Sequence, residues 1–119
     1  MSYVLIVDDD KYMAKALTDM VSLFDRKVQA VHGPRQAIQA LNADRPQLIL
    51  LDLNMAGVDG LEVCRYIKRD PINGDVPVVF ITAEDDPTVM QKARDAGAVD
   101  YLVKPVDIDR LEKVLNTVS

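Results

Sequence analysis

The sequence has little cysteine, no long hydrophobic run and no excess of basic charge, and each shortage excludes something. Its single cysteine, Cys64, has no partner for an internal disulfide, and no Cys/His spacing of metal-binding type occurs. That rules out an oxidatively stapled fold and points to a reducing compartment, with the cytoplasm as the expected location. Uninterrupted apolar runs reach only four to five residues, Val4 to Val7 being typical, which is too short for a membrane span. Met1-Ser2-Tyr3 leads straight into that run without a basic region or cleavage site, so no secretory signal is expected. Fourteen Lys plus Arg against 19 Asp plus Glu leave a formal charge of −5, which argues against broad attraction to nucleic acid or anionic lipid. The remainder, 119 residues with 49% hydrophobic and 28% charged, suits one domain spanning 1–119, with no output domain expected.

Short β-branched and leucine-rich runs recur at Tyr3 to Val7, Val28 to Val31, Gln47 to Leu51, Val76 to Ile81 and Tyr101 to Val103, the signature of strands. Between them, apolar residues fall at helical spacing, as in Met13, Leu17, Met20, Val21 and Phe24, or Leu111, Val114, Leu115 and Val118. Gly33-Pro34 opens a predicted helix to about Leu41, Asp59-Gly60 precedes one over about Leu61 to Lys68, and Asp86-Pro87 starts another that Gly97 ends. Strand then helix, five times over, predicts an α/β fold: a doubly wound, five-stranded parallel sheet with helices on both faces. The uniformly apolar runs Val4–Val7, Leu48–Leu51 and Val78–Ile81 belong in its centre, and the mixed run from Val28 belongs at an edge.

Ligands of open parallel sheets collect beyond the carboxyl ends of the strands. The residues there are Asp8 and Asp9 after the first strand, Asp52 after the third, Thr82 after the fourth and Lys104 after the fifth. Singly, each has an ordinary reading as a turn residue, cap or solvated side chain. Together, three carboxylates on one edge repel and raise one another's pKa unless a cation sits among them. A hard divalent ion such as Mg²⁺ meets that need and leaves room for phosphoryl oxygens. One carboxylate is then available as a nucleophile toward phosphorus, with Lys104 and Thr82 to balance and hydrogen-bond the transferring group.

The runs Val4-Leu5-Ile6-Val7-Asp8-Asp9, Leu50-Leu51-Asp52-Leu53-Asn54-Met55 with Asp59-Gly60, Ile81-Thr82-Ala83-Glu84 and Asp100-Tyr101-Leu102-Val103-Lys104-Pro105 resemble the receiver domain of bacterial two-component response regulators. Four motifs match in order and spacing, over the whole chain. The resemblance implies a flavodoxin-like sheet of order 2-1-3-4-5, as in the family's stand-alone chemotaxis member. It implies that Asp52 is the phosphoacceptor, and that Asp8, Asp9, Asp52 and the backbone carbonyl of Asn54 hold Mg²⁺, with Mn²⁺ the other admissible ion. Lys104 contacts the phosphoryl group next to a cis bond at Pro105, Thr82 and Tyr101 form the switch, and Asn54 and Glu84 tune water access. The implied function is an aspartyl-phosphate switch in a phosphorelay. It accepts phosphate from a sensor histidine kinase or histidine phosphotransfer protein, catalyses only its own phosphotransfer and autodephosphorylation, and acts on a downstream protein that the sequence does not identify.

Two departures stand out. The family usually has proline where this chain has Ala56, which predicts a less rigid loop. Val106 follows Pro105, and the last helix lacks the dimer signature of many transcriptional members, so a monomer is expected; the resemblance implies the exposed part of the fourth helix, the strand at Tyr101 and the last helix as the partner surface. Among the quieter residues, Cys64 reads as packing, as do Met13, Met20 and Met90, while Asp10, Asp85 and Asp86 read as helix-start residues. His32, in the turn before Gly33-Pro34, is set far from the crevice with no phosphoryl-donor role.

Three other functions compete. A haloacid dehalogenase-like phosphatase needs a general acid two residues after its nucleophile, where this chain has the amide Asn54. A flavodoxin-like mononucleotide binder needs backbone N–H groups for a phosphate in its first loop, where this chain has Asp8-Asp9-Asp10. A phosphorylation-independent, receiver-shaped scaffold would not need the five chemical residues.

Overall fold

The computed structural model describes residues 2–118; Met1 and Ser119, the two ends of the expected 1–119 domain, lie outside the described residues. Strand and helix alternate throughout: β1 (Val4–Val7), α1 (Lys11–Ser22), β2 (Val28–Val31), α2 (Pro34–Ala43), β3 (Leu48–Asp52), α3 (Gly60–Arg69), β4 (Val78–Thr82), α4 (Pro87–Asp95), β5 (Asp100–Val103) and α5 (Ile108–Asn116). The five strands pair in parallel in the order β2-β1-β3-β4-β5. Both the α/β class and the strand order agree with the expectation. The fourth strand begins two residues later than its apolar run suggests. Val76 donates its N–H to Asn73 in a turn, and Pro77 has no N–H to offer the ladder.

Side-chain alternation along the strands builds two cores. Leu5, Val7, Ile49, Leu51, Val78 and Phe80 face one side with Ala37, Leu41, Cys64, Ile67 and Ala93 of α2, α3 and α4. Val4, Ile6, Leu48, Leu50, Val79 and Ile81 face the other with Leu17 and Val21 of α1 and Leu111 and Leu115 of α5. Every residue of β1, β3 and β4 is buried, the condition for parallel strands covered on both faces. Edge strand β2 alternates, with Gln29 exposed and Val31 buried.

Helix starts set the loops at the carboxyl edge. Asp10, Asp59, Asp86 and Asp107 cap α1, α3, α4 and α5 by accepting backbone N–H bonds. Asp85, read as a helix-start residue, instead accepts the Tyr101 hydroxyl at 3.1 Å. Gly60 is needed for close approach, since a Cβ there would lie 3.2 Å from the Asp52 carbonyl oxygen and from Leu53 Cα. The first turn of α3 is thus pressed against the backbone that ends β3. At the opposite edge, Arg26 donates to the Leu115 and Val118 carbonyls (2.8 and 3.1 Å), closing the end of α5. Among the described residues no helix is long and apolar enough to cross a membrane.

Candidate functional site

Parallel pairing brings the ends of β1, β3, β4 and β5 to one edge, and register staggers neighbouring ends by no more than one residue: Val7 opposite Leu51, Asp52 opposite Ile81, Thr82 opposite Val103. The next backbone steps put Asp8, Asp9 and Asp52 together, with one carboxylate oxygen from each within 4.8 Å of the others. Asp8 and Asp52 are buried and Asp9 is exposed, so the cluster is open toward solvent on one side only.

Each carboxylate is held differently. Asp8 Oδ1 accepts the Asp10 N–H at 2.9 Å, whereas its Oδ2 is buried with no hydrogen-bond donor among the described residues. Asp9 Oδ2 accepts the Ala56 N–H at 3.1 Å. Asp52 Oδ1 accepts two donors, the Asn54 N–H at 2.9 Å and the Lys104 ammonium at 3.1 Å. Burial pushes the Asp8 carboxyl up to about 6, and the neighbouring Asp52 carboxylate adds to the rise; the Asp10 N–H and the Lys104 charge act against it.

That chemistry fits a hard divalent cation. A buried carboxylate oxygen without a donor, among two further carboxylates, leaves unbalanced negative charge and empty acceptor capacity where an oxygen-seeking ion would bind. Lys104 offsets one charge, on Asp52, and cannot offset all three.

Of the other residues singled out from sequence, Asn54 and Thr82 adjoin the cluster. Thr82 is fully buried, and its hydroxyl oxygen accepts the Glu84 N–H at 3.1 Å. The Asn54 side-chain oxygen accepts the Ala83 N–H at 2.8 Å, tying the loop after β3 to the loop after β4. Asn54 and Glu84 are both exposed. Tyr101 is half-buried at the edge strand, and the Lys104–Pro105 bond is cis, as expected. Cys64 is fully buried with Sγ 3.4 Å from the Ala96 carbonyl oxygen, and burial pushes its thiol pKa up, as suits a packing residue.

Three contributors escaped the sequence reading. His32 is not far from the crevice: its Nδ1 lies 3.1 Å from the Asp8 carbonyl oxygen. The strand-end rule could have found it, because His32 follows β2 directly and β2 pairs with β1. The Ala56 and Ala83 N–H groups are backbone donors that no side-chain motif marks. Ala56 also changes the meaning of the departure noted above, since the proline usual there could not donate to Asp9.

Comparison with known proteins agrees with this geometry. The profile described as the response regulator receiver domain matches residues 4–116. Response regulator MprA of Mycobacterium tuberculosis (strain ATCC 25177 / H37Ra) is 35% identical over 108 residues, covering 91% of this chain and 46% of that protein. The same protein of Mycolicibacterium vanbaalenii matches to the same extent, so the chain spans a little under half the length of these relatives. Among solved structures, the chemotaxis protein CheY4 of Vibrio cholerae superposes with a TM-score of 0.91 at 26% identity, covering 100% of this chain and 99% of that one. The signal receiver domain of a DNA binding response regulator protein (merR) from Colwellia psychrerythraea 34H gives 0.90 at 29%, covering 98% and 97%. With five strands in the order 2-1-3-4-5 and an acidic cluster at their carboxyl edge, the chain belongs to the response regulator receiver domain family.

Proposed function

We propose that the protein is a phosphorylation-controlled signalling switch that accepts a phosphoryl group on Asp52 from a phosphohistidine of a sensor kinase or histidine phosphotransfer protein. The observation that carries this reading is the convergence of Asp8, Asp9 and Asp52 with the Lys104 ammonium placed on Asp52 Oδ1. Mg²⁺, or Mn²⁺ in its place, would be held by Asp8, Asp9, Asp52 and the backbone carbonyl of Asn54, and would supply charge neutralisation for phosphoryl oxygens.

Two donors already occupy Asp52 Oδ1, which leaves Oδ2 to attack phosphorus. The new O–P bond forms as the N–P bond to the donor histidine breaks, and the histidine leaves with the bonding electron pair. Lys104, 20% exposed and already at the acceptor, stabilises the charge spread over the transferring oxygens. Once the group is installed, the Thr82 hydroxyl gains a charged acceptor for its own O–H, a donor role separate from the bond its oxygen accepts from the Glu84 N–H. Movement of Thr82 frees space for Tyr101, whose present bond to Asp85 holds it in its half-buried position. Water later attacks the acyl phosphate, with Asn54 and Glu84 at the rim limiting its approach. The phosphatase alternative lacks a proton donor at Asn54, whose carboxamide oxygen is engaged by Ala83. We place the whole 1–119 domain in the cytoplasm as a monomeric module.

The test is intact mass after incubation with acetyl phosphate. The expected result is a Mg²⁺-dependent, base-labile gain of one phosphoryl group, and no gain under donor excess favours the phosphorylation-independent scaffold. Lys104→Ala is expected to slow the gain by about tenfold or more, the scale of removing one charge-stabilising donor; wild-type rate and wild-type switching in that variant remove Lys104 from the site. Ala56→Pro deletes the N–H that holds Asp9 and is expected to weaken Mg²⁺ binding by about three- to tenfold, in line with one hydrogen bond to a partly solvated carboxylate. Calorimetric titration reads this directly, and unchanged affinity shows that the tether does not position Asp9.

A further inference from the structure

Away from the acidic edge, α2 and α3 enclose a groove of about 380 Å³ on the outer surface. Its floor is Ile38 and Val63, half-buried and packed on the core beneath, and its wall is Tyr66, 56% exposed. Arg35 lies in the first turn of α2 and Arg69 in the last turn of α3. Both helices connect parallel strands and run the same way, so the two cations bracket the apolar floor from opposite ends, offset by about two turns along the common helix direction. Among the described residues neither arginine side chain has an ion pair or hydrogen bond. The nearby Glu62 is engaged by Arg65.

We propose that this groove docks an amphipathic helix of a partner protein, with aliphatic side chains on the Ile38–Val63 floor and two carboxylates about seven residues apart, one at each arginine. Two unpaired cations on a chain of net charge −5 form a local, directional field. That suits a helix carrying two placed carboxylates better than an extended polyanion or an anionic membrane, which the rest of the chain repels. A second copy does not fit, because among the described residues no helix carries two carboxylates at that separation. The proposal is independent of phosphorylation at Asp52.

The test uses the full chain, amide NMR, and a short alanine-based helical peptide with two glutamates about seven residues apart and leucines between them on the same face. Saturable shifts confined to α2 and α3 are expected. Affinity should fall by about tenfold or more in Arg35→Glu/Arg69→Glu, fall in Tyr66→Ala, and hold in Lys92→Glu/Arg94→Glu, a charge-matched exposed control on α4. The proposal is overturned by no saturable shift at millimolar peptide, by shifts mapping elsewhere, or by equal binding of the counterpart with lysines for glutamates. Unchanged affinity in the double variant overturns it too, as does binding to phosphatidylserine vesicles in place of the peptide.

Discussion

Asp52→Asn is expected to abolish phosphoryl incorporation while leaving the fold intact. Asp52 is 2% exposed at the end of β3, and the amide keeps an oxygen able to accept from the Asn54 N–H and the Lys104 ammonium. The substitution also removes one of three mutually repelling carboxylates, so unfolding in urea should show equal or greater stability without added metal. What is lost is the nucleophile, because a carboxamide does not attack phosphorus at a useful rate. Intact mass with acetyl phosphate and excess Mg²⁺ should show a full gain in the wild type and none in the variant. Labelling of the variant at normal stoichiometry refutes the assignment of Asp52.

The second large effect is on stability. Folding raises the Asp8 carboxyl from 3.8 to about 6, through burial and then the neighbouring Asp52. The folded state therefore holds this proton more tightly than the unfolded chain. The stabilisation is fully present below the unfolded value and is lost as pH rises through about 6. Each pKa unit corresponds to about 1.4 kcal/mol, and with water reaching the open side of the cluster a loss of about 1–3 kcal/mol is expected between about pH 4 and pH 7.5. Carboxylates such as Asp70 and Asp75, whose pKa values are lowered by hydrogen bonds to Ile72 N–H and to Arg45, act in the opposite sense at lower pH. Urea unfolding in chelator should show the decline in the wild type and a flatter profile in Asp8→Asn. Excess Mg²⁺ at about pH 7.5 should restore the lost stability to the wild type and much less to the variant, through binding to the folded state alone. A wild-type profile indifferent to Mg²⁺ contradicts the acidic cluster as a cation site.

Much of the site was legible because parallel α/β architecture converts chain position into spatial position. Asp8, Asp9, Asp52 and Thr82 sit at the ends of apolar runs, and covered central strands must be such runs, so those ends could be named before their pairing was known; Lys104 follows the shorter run of edge strand β5. The same logic located β2 at an edge but was not carried on to His32, which follows it and reaches the Asp8 carbonyl oxygen. Element ends shifted where backbone hydrogen bonding decides and side-chain character does not, as at Val76 and Pro77. The donors from Ala56 and Ala83 were invisible for a related reason: alanine carries no chemical signal, and its N–H acquires a role only when the loops are brought together. The effect of Ala56 was accordingly read as loop flexibility, where the structure shows a tether to Asp9.

The measurement closest to the central claim is the position of the phosphoryl group. After reaction with acetyl phosphate and Mg²⁺, borohydride reduction converts an aspartyl phosphate to homoserine, which peptide mass spectrometry locates. The expected result is homoserine at position 52 alone, dependent on Mg²⁺. Reduction at position 8 or 9, or a phosphoryl group stable to borohydride on another residue, contradicts the account.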